Sequence, residues 1–138
     1  MFKRKGIAFL LTVVLTIPML GFSFMLIEGS GVRDALELMV FAAIYVTPVI
    51  LLYGVPVSIL SDKINDRFNG VKRVLLSLFT HLFLGLSFPL FFILVDGSQL
   101  NNGGNLYLVA AAVIPSFVFW GMDEVLRSRY LYSVWDRK

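Results

Sequence analysis

Cysteine is absent from the 138 residues and histidine occurs once. Without cysteine there is no disulfide scaffold, no thiol nucleophile, no zinc ribbon and no CxxC redox pair. Charge is scarce as well, at 15% of residues, where a soluble domain carries about 25%. That shortage argues against a water-soluble globule, a disordered tail and a coiled coil. The glycines of Gly29-Ser30-Gly31 and Gly103-Gly104 are followed by no nucleotide-binding motif. No Ser–His–Asp set and no paired carboxylates mark a reactive face. The expectation is therefore a non-enzyme, with no catalytic residue, no cofactor and no metal. What fills the chain instead is hydrocarbon: 58% apolar residues, thirteen Phe and a mean hydropathy of +0.84. Lipid is the solvent that such a composition requires.

The charges fall in clusters, and the gaps between them define four spans. Gly6–Ile27, Leu38–Ser61 and Val74–Val95 hold no charged residue over 22, 24 and 22 positions. A fourth apolar run covers Leu106–Met122. A helix rising about 1.5 Å per residue needs roughly 20 apolar residues to cross a ~30 Å hydrocarbon core. The first run is longer than the apolar region of a secretory signal, so it is expected to stay as an anchor. Asn101-Asn102-Gly103-Gly104-Asn105 reads as a turn before the fourth span. The predicted fold is all-α, one polytopic domain of four transmembrane helices in a bundle, with a tail over 123–138.

Basic residues set the threading. The N-terminal end, the loop Asp62–Arg73 and the tail hold eleven of the twelve Lys and Arg, and only Arg33 lies on the other side. The positive-inside rule then places both termini in the cytoplasm of a cell membrane. The net charge of +3 is distributed along those edges and pairs with no stacking aromatics, so no nucleic-acid partner is expected.

All five prolines, Pro18, Pro48, Pro56, Pro89 and Pro115, lie inside spans. Each removes a backbone donor and crowds the carbonyl four residues earlier. The two readings are hinges that move and ordinary kinks; Pro is common in membrane helices. Small residues recur four apart, as in Gly54 and Ser58, and the third span carries Ser77, His81, Gly85 and Pro89 in one row. Such rows let helices approach closely, either inside one bundle or across a dimer seam. His81 is the one ionisable group inside any predicted span. It is expected to be satisfied within the bundle, with titration as the sharper alternative.

At the cytoplasmic edge, Asp123 and Glu124 are opposite in sign to Lys63, Arg67, Lys72 and Arg73, and ion pairs between the two clusters would tie loop to tail. The tail mixes Tyr130 and Trp135 with Arg127, Arg129 and Arg137. It is expected either to extend the fourth helix or to lie along anionic headgroups.

The stretch Tyr53-Gly54-Val55-Pro56-Val57-Ser58-Ile59-Leu60-Ser61-Asp62, with the size and loop lengths, resembles small uncharacterised four-span proteins of Bacillus-type bacteria. That resemblance implies a multi-pass cell-membrane protein and carries no site. Small multidrug transporters are similar in size, but they need a carboxylate in the first span, and Gly6–Ile27 has none. The expected function is a non-enzymatic interaction, regulatory or self-protection factor acting through helix–helix contacts. Its expected partners are the lipid bilayer and a membrane protein or a second copy. The alternative is a small oligomeric channel or transporter with a path near His81.

Overall fold

A computed structural model describes residues 2–97 and 103–135, and the side-chain surroundings of 3–97 and 104–128. The described residues are helical with short connections and contain no strand. Helix α1 runs Phe2–Glu28 and α2 runs Val32–Val49, followed by a π turn at Ile50–Gly54 and α3 at Val55–Asn65. Helix α4 runs Gly70–Asp96 and α5 runs Gly103–Trp135. Four helical stretches are long and apolar enough to cross a membrane: Lys3–Glu28, Val32–Asn65, Gly70–Asp96 and Gly104–Ser128.

The helices extend past the charge-free runs at both ends. Arg33, Asp34 and Glu37 belong to α2 and not to a loop, and Asp62 and Lys63 belong to α3. A helix can carry charge in its outer turns because long side chains reach the interface there. Connections shrink accordingly. Gly29 adopts φ +64° to end α1, and three residues later α2 begins with the Asp34 carboxylate accepting from the Gly31 N–H at 3.2 Å. Gly97, at φ +65°, ends α4 in the same left-handed conformation. The tail does not break away: α5 continues through Trp135, so the extension of the fourth helix holds that far. Asn101 and Asn102 of the expected turn, and Arg137 and Lys138, lie outside the described residues.

Packing follows an inside-out pattern. Leu52, Phe83 and Leu94 are 77%, 74% and 80% exposed, while Lys5, Thr12, Ser58, Ser61, Asn65 and Asp123 are buried. Large apolar side chains face outward, where lipid would solvate them at no cost, and polar groups turn inward to satisfy one another. Helix α5 is the centre, packed against α1 on one side and α4 on the other, with α2 on α1 and α3 on α4. On α4 the buried face is one row at spacing four: Ser77, His81, Gly85, Pro89 and Ile93. A Cβ at Gly85 would stand 2.0 Å from Ser116 Oγ, so this glycine sets how closely α4 approaches α5.

Candidate functional site

Two features stand out, one charged and one apolar, and they share a wall. The charged one lies where the start of α1, the end of α3 and the second half of α5 converge. Helical spacing prepares it. Lys5, Ala8, Thr12 and Thr16 form the buried stripe of α1, Gly54, Ser58 and Asp62 stand four apart, and so do Phe119, Asp123 and Arg127. When those stripes meet, the Lys5 ammonium, 1% exposed, donates to Asp123 Oδ2 at 2.6 Å and reaches Asp62 Oδ2 at 2.8 Å. It also donates to the Ser58 hydroxyl at 2.5 Å and lies 3.3 Å from the Ser58 carbonyl oxygen.

Arg4 spans the same two carboxylates, with Nη2 at 2.6 Å from Asp62 and Nε at 3.0 Å from Asp123. Arg127 adds a third cation to Asp62 at 3.1 Å. Every charge in this cluster has a partner, which is the condition for keeping it out of water. The chemistry it supports is locking: α1, α3 and α5 are tied at one end by groups 53 to 119 residues apart in sequence.

The expected meeting of loop and tail occurs in a different form. Arg73 Nη2 does bond Glu124 Oε1, joining α4 to α5. Asp123 instead turns to Arg4 and Lys5, because it faces α1 across the buried side of α5 while Glu124 faces α4. Lys63, Arg67 and Lys72 are exposed and join no ion pair among the described residues. His81 is also not the single buried ionisable group: Lys5 and Asp123, at the end of the bundle, are buried within helices long and apolar enough to be spans. Lys5 was read as a threading charge, and its place on the small-residue stripe of α1 was the signal that it turns inward.

The apolar feature begins one helical turn beyond this lock, where Phe119 stands four residues before Asp123 and Gly54 four before Ser58. Pro48, Pro89 and Pro115, with the π turn, surround a cavity of about 520 Å³ between α2, α4 and α5. The π turn has a local cause. Pro56 follows it, lacks an N–H and needs room for its ring, and the wider turn (Val55 N–H to the Ile50 carbonyl) supplies that room. Tyr45, Leu52 and Phe88 at the rim are half or more exposed, so the cavity opens sideways between α2 and α4, onto the exposed apolar surface. Its inner wall is buried: His81, Gly85 and Phe119.

Of the residues expected to matter, the structure brings Gly54, His81, Gly85 and Pro89 to this cavity. Ser58 goes to the charged lock, and Ser77 goes to the α3–α4 contact, where it bonds Ser61 Oγ at 3.1 Å. His81 is held by its own helix, with Nδ1 at 2.8 Å from the Ser77 carbonyl oxygen, and its ring lies along Phe119. Its Nε2 is buried and has no partner among the described residues. No group of three potential metal ligands occurs among the described residues. Comparison with protein-family models, with curated proteins and with solved structures finds no match, so the site stands on its own geometry.

Proposed function

We propose that the chain is a non-enzymatic interaction protein of the membrane, which acts by binding a lipophilic molecule within the bilayer. One observation carries this reading: a lipid-facing cavity of about 520 Å³, walled by three prolines and a π turn, above an end locked by ion pairs. That volume lies in the range of about 300–1,000 Å³ typical of small-molecule sites. The helix–helix contacts expected from the small residues are largely spent inside the bundle, where Gly85 faces Ser116 and Gly54 faces Phe119. The cavity is then the surface left for a partner. The charged end is proposed to face the cytoplasm of a cell membrane, with the basic asymmetry as support.

The test uses a photo-crosslinking amino acid in place of Leu52, at the cavity rim, in native membranes. A low-mass adduct on the chain is the expected product. Crosslinking to another protein would replace this reading with docking of a partner helix. No adduct from Leu52, with efficient crosslinking of the same group elsewhere on the chain, would remove the cavity from the function.

A second reading, a small transporter, is favoured by the position of His81. It lines the cavity, and its Nε2 is buried with no partner among the described residues. Flux through liposomes containing the purified chain alone would favour it over binding without transport.

A further inference from the structure

The turn between α3 and α4 is held firmly from within. Asn65, 2% exposed, donates through Nδ2 to the Ser61 carbonyl at 2.8 Å, and Ser61 Oγ meets Ser77 Oγ of α4 at 3.1 Å. The Phe68 N–H closes the turn on the Asn65 carbonyl at 3.1 Å. What this frame presents outward is an interleaved set: Lys63, Arg67 and Lys72 with Ile64, Phe68 and Val71, all exposed. The three cations join no ion pair among the described residues. Asp62, next to Lys63, is already taken by Arg4, Lys5 and Arg127, which leaves Asp66 as the one free carboxylate between Asp62 and Arg73.

Ile64, Phe68 and Val71 are 51%, 42% and 74% exposed, and they continue exposed apolar rows at spacing four, Leu60 with Ile64 on α3 and Val71 with Leu75 and Phe79 on α4. A turn standing clear in water would leave these side chains solvated. At the edge of hydrocarbon they are buried, and the cations between them come level with phosphate. The far end of the bundle has the opposite sign, with Glu28, Asp34, Glu37 and Asp96 against Arg33. We propose that the α3–α4 turn is a docking surface for anionic phospholipid headgroups. Lys63, Arg67 and Lys72 take the phosphate oxygens, and Ile64, Phe68 and Val71 sit among the acyl chains below. An acidic soluble protein would match the cations, but it would cut off the apolar surface that runs from the turn onto both helices. The surface lies outside the bundle and is independent of what fills the cavity.

The experiment places a photo-crosslinking amino acid at Phe68 of the full chain. The chain is reconstituted in vesicles of equal parts phosphatidylglycerol and phosphatidylcholine with the same acyl chains, and mass spectrometry reads the lipid adducts. Phosphatidylglycerol is expected to exceed phosphatidylcholine about fivefold, the ratio that one cation at a membrane surface supplies. The triple variant Lys63→Gln, Arg67→Gln, Lys72→Gln changes exposed, unpaired side chains and is expected to fold normally and lose the preference. The same crosslinker at Val32, at the acidic end, is expected to show no preference for phosphatidylglycerol. Inorganic phosphate added at constant ionic strength is expected to leave the Phe68 ratio unchanged.

Equal adducts of the two lipids at Phe68 overturn the proposal, and so does a preference that survives in the folded triple variant or appears equally at Val32. Should the triple variant fail to fold, salt decides: the Phe68 preference is expected to collapse at high ionic strength, and a salt-independent preference overturns the proposal. Loss of the preference to inorganic phosphate would assign the turn to the free ion instead. In native membranes, crosslinking from Phe68 to a protein in place of lipid would assign it to a protein partner. None of these results bears on the Leu52 adduct, so failure here leaves the cavity reading standing.

Discussion

Glycines 21 and 85 show how one missing methyl can be indispensable or incidental. A Cβ at Gly85 would meet Ser116 Oγ at 2.0 Å and Ser116 Cβ at 3.0 Å. Rotating the hydroxyl away would break its bond to Ala112 and still leave the Cβ overlap, so α4 must shift. A Cβ at Gly21 would meet Met39 at Cε and, at 2.7 Å, at Cγ, so the whole unbranched side chain must change rotamer, which costs less than moving a helix. Alanine also favours a helix interior over glycine by about 0.5–1 kcal/mol. Gly85→Ala should therefore lose about 1–3 kcal/mol through overpacking. Gly21→Ala should lose less, staying within about 1 kcal/mol of the wild type, because the helix-propensity gain offsets the repacking of Met39. Adding Ser116→Gly to Gly85→Ala should recover much of the loss. Unfolding by denaturant in detergent micelles measures all three, and equal losses for the two single variants would contradict the packing described.

Among the elements, α1, α3 and α5 depend on one another through charge. Asp123 accepts from Arg4, Lys5 and Ser58, and only 8% of its side chain is exposed. Removing one member of a buried pair typically costs 3–5 kcal/mol, because the remaining charge is left without compensation. Lys5 keeps Asp62 when Asp123 is lost, so Asp123→Leu should fall near the lower end, about 3 kcal/mol. Lys5→Met with Asp123→Leu should be less destabilised than Asp123→Leu alone, since Asp62 then faces two cations, Arg4 and Arg127, instead of three. A melting comparison in micelles reads this directly; strictly additive losses would mean that the two side chains do not interact. The exposed Arg33–Glu37 pair, one turn apart on α2, is solvated and makes no comparable claim on stability. The second span shows a different dependence. Two prolines eight residues apart would each interrupt a regular helix, and the π turn between them keeps Val32–Asn65 continuous while turning Gly54 toward Phe119.

At the scale of the whole molecule, the contacts of Arg4 with Asp123 place the beginning of α1 and that part of α5 at one end of the bundle. An even number of crossings requires the same arrangement. The side of the membrane remains a proposal from the distribution of Lys and Arg. Alkaline phosphatase and a fluorescent protein, fused separately after Lys138, test it. A bright fluorescent fusion with little phosphatase activity is the expected pair of results, and the reverse pair would invert the threading.

That the chain forms four helices long and apolar enough to cross a membrane was legible in the sequence, because hydropathy is a local sum. Twenty-two charge-free residues must satisfy their backbone internally when lipid surrounds them, whatever the rest of the chain does. The row Ser77, His81, Gly85 and Pro89 was legible for a related reason, since residues four apart share a helix face. The outer turns were not legible, because a charge ends an apolar run without ending a helix: Asp62 and Asp123 continue theirs. What only the tertiary structure decided is which charges meet: Lys5 is 118 residues from Asp123, and nothing local records how α1 is rotated against α5. The cavity has the same origin. Pro48, Pro89 and Pro115 are unremarked kinks in three separate helices until packing turns them toward one space, because a void belongs to the fit between surfaces and not to any one of them.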